Sequence, residues 1–286
     1  PRGFLMPSFR LARLTRDLKD VGKRMFGAAG YTVGARASVA RVTSLLGRLQ
    51  PRGPGGRPTP LVRIGPNHDG GYLLPDDLDG MSVGFSGGVG DEIRFDIACA
   101  ARGIAMHLAD GTVYDPPGRP ATSTFTRLNL GAYDGTDQIT LPTWIGERVA
   151  EEATDMLLKL DIEGAEYGTL LACPTQTLAR FRMIVLEAHD LNRLWEPAFL
   201  RVAEAMFGHL LVSHICVHAH PNNAHRASSV AGLEIPPFME FTFLRRDRGD
   251  TETWLPVTSF PHPLDLDNIV GERPVRVPAP WRSNRS

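Results

Sequence analysis

The sequence predicts an α/β fold built on a largely buried sheet, and three observations predict it. The first is LLKLDIEGAEYGTLL, Leu157–Leu171, in which an apolar strand runs into an acidic turn at Asp161, Glu163 and Glu166 and then into a helix. The second is MSVGFSGGVGDEIRFD, Met81–Asp96, a short apolar strand, a loop with Gly87, Gly88 and Gly90, and the start of a helix through Ile93, Ile97 and Ala101. The third is composition: 286 residues, 42% hydrophobic and 22% charged, are enough to bury a full α/β core with an appendage.

The acidic turn matters most for function. Carboxylates are costly at the end of a buried strand unless something compensates them. In open α/β sheets, ligands bind in the crevice outside the carboxyl ends of the strands, which is where Asp161 and Glu163 are expected. Glu166 fits equally well as an acid stabilising a helix N-terminus.

In the first strand–turn–helix unit, the glycine turn allows a ligand to approach backbone N–H groups closely. Asp110 follows Gly90 by twenty residues at the end of the strand-like IAMHLAD, suited to accept from ribose hydroxyls. The pair points to a nucleoside ligand. Ile93 stands where the dinucleotide fingerprint needs its third glycine, which disfavours NAD, and no Gly-Lys-Ser or Gly-Lys-Thr is present to cradle a triphosphate. S-adenosylmethionine fits better, because its positive sulfonium suits a glycine turn with carboxylates nearby and no basic residues.

Charge divides the chain unevenly. Residues 1–60 hold twelve Lys or Arg against two Asp, although the whole carries a net charge of −1. Leu11, Leu14, Leu18, Val21 and Met25 recur at helical spacing, with Arg13, Arg16, Lys19, Lys23 and Arg24 on the other faces. This basic amphipathic helix is expected either to pack on the main domain or a second subunit, or to meet an anionic membrane surface. A second helix carries Val39, Val42, Leu45, Leu46 and Leu49, and PRGPGGRPTP at 51–60 reads as a linker. The expected organisation is a basic helical extension and linker over 1–60, a main domain over 61–249, and a proline-rich tail over 250–286 that forms a surface wrap or frays.

No apolar run reaches the ~18 residues needed to cross a bilayer, and no secretory signal opens the sequence. Cys99, Cys173 and Cys216 show no paired spacing. A soluble main body in a reducing cytoplasm is expected.

Along the main domain, LVRIGPNHDGGYLLP with its Asp69-Gly70-Gly71 turn predicts a hairpin. The segments SGGVGDEIRFD, LNLGAYDGTDQITL, LLKLDIEGAEYGTLL and IVLEAHD, with the acid at Asp110, together resemble the FkbM family of S-adenosylmethionine-dependent methyltransferases over roughly residues 61–246. The run Lys159–Glu166 is the most specific part. Gly84 and Ser86 depart from the pattern, standing where many class I methyltransferases have an acid and the first glycine. The resemblance implies a class I methyltransferase, Rossmann-like fold, a seven-stranded sheet with helices on both faces, and O-methylation of a sugar or polyketide-like hydroxyl. Its strands are placed at 104–109, 126–132, 156–161, 183–188, 211–217 and 239–245 after the first.

On this basis Ser86, Gly87, Gly88, Gly90 and Asp110 are the expected cofactor ligands, with Asp134 beside the adenine. Asp161, Glu163 and His189 are the expected catalytic groups. Glu187 and His189 follow the strand MIVL two residues apart, so extended backbone puts them on one side. Asp161, Glu187 and His189 are then candidate ligands for Mg²⁺ or another divalent cation, the alternative being His189 as general base. His218-Ala-His220-Pro221-Asn222-Asn223 ends a later strand, and His220, Asn222 and Asn223 are the expected contacts to a small-molecule or glycan acceptor. No nucleic acid partner is expected. Two other readings stand beside the methyltransferase: an NAD(P)-dependent oxidoreductase, and a catalytically silent methyltransferase-like domain that binds a glycan or a partner.

Overall fold

The structure, a computed structural model, describes residues 36–282. The predicted basic helix at 11–25 lies outside them. The hairpin is present as β1 (Leu61–Ile64) and β2 (Tyr72–Pro75), paired antiparallel. Five parallel strands follow: β3 (Val83–Gly87), β4 (Ala105–Ala109), β5 (Thr124–Thr126), β8 (Met156–Leu160) and β9 (Phe181–Ala188). Between β5 and β8 the short strands β6 (Asn129–Gly131) and β7 (Gln138–Thr140) pair only with each other. With β10 (His214–Pro221) and β11 (Met239–Arg245) the main sheet has seven strands in the order β10-β11-β9-β8-β3-β4-β5, β11 running antiparallel to both neighbours.

The order fixes where a ligand belongs. From β3 the chain steps outward through β4 to β5, then returns to the other side of β3 as β8 and continues to β9. The strand order therefore reverses between β3 and β8, the switch point at which α/β sheets open a crevice. The glycine turn leaves β3 there and the acidic turn leaves β8 beside it.

Buried on both faces, the strands carry two apolar cores. Leu158, Leu160, Ile184, Leu186, Phe241 and Phe243 face one, packed by α1 (Val39–Leu49), α3 (Leu141–Gly146), α4 (Glu166–Ala172), the short α5 (Thr175–Leu178) and α6 (Pro197–Leu210). Leu157, Met183, Val185 and Leu244 face the other, covered by the hairpin and by α2 (Arg94–Ala100). By this alternation Lys159, Asp161 and Glu187 point to the hairpin side, where Tyr72 meets them.

Two strand boundaries differ from the sequence reading. The stretch read as one strand over 126–132 is two, because the backbone turns at Arg127 and Leu128, with the Leu128 N–H closing on the Thr126 carbonyl. The strand expected at 211–217 begins at His214, since the N–H groups of Leu211 and Val212 close the last turn of α6 on Phe207 and His209.

The second expected helix is α1, capped by the Ser38 hydroxyl, with Val42, Leu45, Leu46 and Leu49 in the core. Arg41 on its outer side pairs with Glu204 of α6. The stretch read as a linker is packed as well: Arg52–Gly53 pairs with Leu255–Pro256. Through Arg282 the C-terminal segment wraps the domain and does not fray. Trp281 is fully buried and donates from Nε1 to the Leu46 carbonyl at 2.8 Å, which ties this segment to α1. Among the described residues no helix is long and apolar enough to cross a membrane. The three cysteines are buried and unpaired.

His214 gives the fold a pH signature. It is fully buried at the start of β10, with Nε2 3.0 Å from the Phe181 carbonyl and Nδ1 2.9 Å from the Ser213 hydroxyl. Burial pushes its pKa down to about 4 from 6.5, the Phe181 carbonyl opposing this only in part. A folded pKa below the unfolded one means that stability is fully present above pH ~6.5 and is lost as pH falls towards ~4, by about 3 kcal/mol at ~1.4 kcal/mol per unit. Chemical denaturation at pH 7 and pH 4 should show His214→Asn losing about that much less than the parent, and an equal loss in both would remove His214 from the account.

Candidate active site

The β3 side of the crevice is held by a contact that only glycine permits. Gly88 has φ +70°, and a Cβ there would lie 1.7 Å from the Asp161 carbonyl oxygen. Without a side chain the turn after β3 lies directly on the end of β8, where the Asp161 N–H donates to the Gly87 carbonyl at 3.1 Å. Lys159 adds a third tie, its ammonium donating to the Gly88 carbonyl at 2.6 Å. Gly90, at φ +50°, has no atom within 4 Å of where a Cβ would stand.

Asp110, at the end of β4, braces this turn. Its Oδ2 accepts from the N–H groups of Val89 at 3.1 Å and Gly90 at 2.9 Å, and its Oδ1 from the Thr112 N–H at 2.7 Å and hydroxyl at 2.6 Å. Burial raises its pKa, but the bonds from Thr112, Gly90 and Val89 outweigh burial and hold it below the usual carboxylate range. The glycine-turn N–H groups expected to be open to a ligand are thus engaged within the protein, that of Gly88 going to the Ala109 carbonyl at 3.0 Å. Ser86 is also not a ligand through its side chain. It is fully buried within β3, with its hydroxyl beside Asp96, whose pKa burial raises to about 6.

Across the switch point stands the acidic cluster. Asp161 accepts from the Tyr72 hydroxyl at 3.1 Å and lies 3.6 Å from the Lys159 ammonium. Glu163 sits in the left-handed region at φ 54°, with its side chain 87% exposed and Oε2 3.3 Å from His189 Nε2. His189 is 6% exposed and packs against Phe238. Its Nδ1 lies 2.9 Å from Oε1 of Glu166, which is 0% exposed and also takes the Ile162 N–H at 2.9 Å. A buried carboxylate partner places the proton on Nδ1, leaving Nε2 directed at Asp161 and Glu163. Burial lowers the His189 pKa, but the Glu166 bond and the charges of Glu166, Asp161 and Glu163 prevail and raise it. Glu187, 4% exposed, accepts from the Asn222 amide at 2.8 Å; burial first, then Asp161 and Glu240, push its pKa well up.

Asp161, Glu187 and His189 each offer a ligand atom, all within 4.8 Å of one another. The expected trio is therefore brought together. The sequence reading missed two supports and one opposing charge: Glu166, read equally as a helix-end acid; Tyr72, which reaches the site from the hairpin and has no sequence signal; and Glu240, the acid opposite Glu187 on β11.

The remaining expected residues scatter. Asp134 is engaged in its own loop, accepting from the Thr140 N–H at 2.7 Å and the Thr143 hydroxyl at 2.8 Å, as a turn acid does. Asn223 spends both ends of its amide on the Ile269 backbone, at 2.9 and 2.8 Å, and Asn222 spends its amide on Glu187 and the Ala224 N–H. His220 instead faces a cleft of about 1080 Å³ between β10 and the C-terminal segment, lined also by Phe260, Asp265 and Arg276.

With the fold and cluster in place, comparison with known proteins is informative. Residues 82–212, less than half of the chain, match the methyltransferase FkbM domain. This stretch is an FkbM methyltransferase domain. It contains the glycine turn, Asp110, the acidic turn, Glu187 and His189. No curated protein matches the chain. Three solved structures are similar at low identity. The antibiotic-resistance methyltransferase Kmr is 12% identical, covering 65% of this chain and 100% of that one, with a TM-score of 0.30. The Burkholderia thailandensis 1,6-didemethyltoxoflavin-N1-methyltransferase, solved with 1,6-didemethyltoxoflavin and S-adenosylhomocysteine, is 12% identical over 86% and 93%, with a TM-score of 0.27. A variant of the 16S rRNA (adenine(1408)-N(1))-methyltransferase from Catenulisporales acidiphilia is 10% identical over 65% and 98%, with a TM-score of 0.29. At these TM-scores the likenesses carry no argument about this FkbM domain's ligand or acceptor.

The two glycines should respond differently to a methyl group. Gly90→Ala meets no atom, so its cost is the left-handed strain of about 1–2 kcal/mol. Gly88→Ala adds the collision with the Asp161 carbonyl and should cost clearly more in denaturant unfolding. Equal costs would mean that the turn does not rest on β8 in this way.

Proposed function

We propose that this FkbM domain transfers the methyl group of S-adenosylmethionine to a hydroxyl of a sugar or specialised metabolite. The observation that carries the reading is the placement of a braced glycine turn and an acid–histidine cluster on opposite sides of one sheet switch point. The open space at Gly90, on the turn that Asp110 braces, is where the nucleoside end fits, and the nearby carboxylates suit a cationic sulfonium.

The acceptor follows from the second half of the site. An alcohol is a weak nucleophile at neutral pH, so transfer requires in-line placement and a group to take its proton. The oxygen gains the methyl group, the sulfonium becomes a neutral thioether, and the proton passes to the protein. Two routes follow from the residues. In one, His189 Nε2 is the base and Glu166 holds the ring. In the other, Asp161, Glu187 and His189 would hold a divalent cation, which would supply Lewis acidity towards the hydroxyl, and the exposed Glu163 carboxylate would be the group to take the proton. Both place the reacting oxygen at the cluster.

Calorimetry should detect S-adenosylmethionine and S-adenosylhomocysteine but not NAD, and binding of NAD alone would overturn the donor. Asp110 spends its carboxylate on Val89, Gly90 and Thr112 and not on a ribose, so Asp110→Ala should weaken donor binding by releasing the turn, and an unchanged affinity would mean that the donor does not rest on it. With labelled donor and candidate alcohols or cell extracts, Glu163→Gln and His189→Ala should lower turnover far more than donor affinity. Near-normal turnover in both would move the reacting centre elsewhere, and donor binding without transfer to any alcohol would favour a silent binding domain.

A further inference from the structure

We infer that Asp161, Glu187 and His189 form a binding site for one divalent transition-metal cation of the Mn²⁺, Fe²⁺ or Zn²⁺ class, with magnesium and calcium disfavoured. The cation's chemical role rests on the methyl-transfer reading; its binding does not.

Three facts of geometry carry this. Each residue presents a ligand atom within 4.8 Å of the other two, close enough for one ion to reach all three. Glu187, more than nine-tenths buried, is bonded by Asn222 on Oε1 alone and has no hydrogen bond on Oε2 among the described residues, while the Nε2 of the equally buried His189 is turned into the site, 3.3 Å from the exposed Glu163 and 3.8 Å from Asp161. The third fact is the support around them. Glu166 fixes the His189 ring, Asn222 the Glu187 carboxylate and Tyr72 the Asp161 carboxylate, so each prospective ligand is oriented by a second group before any ion arrives.

The charges facing the site are Asp161, Glu187 and the exposed Glu163, with Glu166 behind His189 and Glu240 and Asp69 near Glu187, on the acidic side, and Lys159 on the basic side. The Lys159 ammonium is 3.6 Å from Asp161 but donates to the Gly88 carbonyl, so it offsets only part of the acidic charge. An added divalent cation compensates the rest.

The donor set chooses the ion. Calcium takes six to eight oxygens, and magnesium prefers oxygen ligands in strict octahedral geometry, whereas an imidazole with two carboxylates suits manganese, iron or zinc. Three protein ligands would leave room for the acceptor hydroxyl, and a bound cation would supply Lewis acidity that lowers the hydroxyl's pKa. Glu163, which lies beside the trio without belonging to it, would then take the proton.

Manganese paramagnetic resonance tests this without an acceptor. Titrating Mn²⁺ into the full chain should remove the aqueous six-line signal of one ion per chain. His189→Ala and Asp161→Asn should each weaken binding on the order of tenfold or more. Asp161→Asn keeps an oxygen for Tyr72 and so guards against a folding defect in the histidine variant, with circular dichroism checking both. Zn²⁺ should displace the bound Mn²⁺, and a large excess of Mg²⁺ should not. An undiminished aqueous signal, or binding unchanged in both variants, overturns the site; displacement by Mg²⁺ as readily as by Zn²⁺ overturns the ion class. Donor calorimetry on the same protein separates the two readings, since S-adenosylmethionine binding without Mn²⁺ binding leaves the methyltransferase intact and removes the cation alone.

Discussion

The absence of a side chain at Gly88 is the constraint on which the site depends. It lets the turn after β3 settle on the Asp161 carbonyl, and the hydrogen bond from the Asp161 N–H to Gly87 locks the two strand ends together. Everything proposed for the donor hangs from one side of this contact and everything proposed for the acceptor from the other. Asp110 and Lys159 reinforce it, the first by gathering the Val89 and Gly90 N–H groups and the second by taking the Gly88 carbonyl. A displacement here moves both halves of the site, whereas a change at Gly90 is confined to the donor side.

Around that contact the protein concentrates charge where the fold alone would have apolar groups. Directly paired positions on β9, β11 and β10 put Glu187, Glu240 and His220 in a row on one face of the sheet, and Asp161 stands one residue beyond the register that pairs Leu160 with Leu186. Burial pushes Glu240 up to about 7 and Glu187 well above the carboxylate range. Amides from Asn268 and Asn222 reach the two acids, so the row is compensated only in part. Such groups cost stability, and their retention at a switch point is what a site for a charged or ionising ligand requires.

The covering of the sheet comes from both ends of the described chain. α1 and Trp281 meet on one face, and the Trp281 indole donates to the carbonyl of Leu46, a residue 235 positions away. The segment between β11 and Trp281 carries Asp265 to His218 and Asn268 to Glu240, so a stretch that looks like a tail supplies partners to buried groups.

Much of this could be read from the chain itself. Periodicity and glycine placement set the hairpin, the first strand–turn–helix unit, the acidic turn and the grouping of Asp161, Glu187 and His189, because each rests on spacing within one strand or on the rule that ligands gather at strand ends. The partners of those residues could not be read. Glu166 looked like any acid in a first helical turn until β9 brought His189 to it, and Tyr72 carries no local mark of its bond to Asp161. Asp134 and Asn223 have the same composition as ligands and are turn residues only because nearby backbone claims them. The proline-rich end gave no period to follow, since its order comes from one buried tryptophan and not from a regular backbone pattern. Local pattern determined which groups stand at the strand ends; which of them are free for a ligand was decided by tertiary hydrogen bonding, because each buried polar atom takes whatever partner the packing brings within reach.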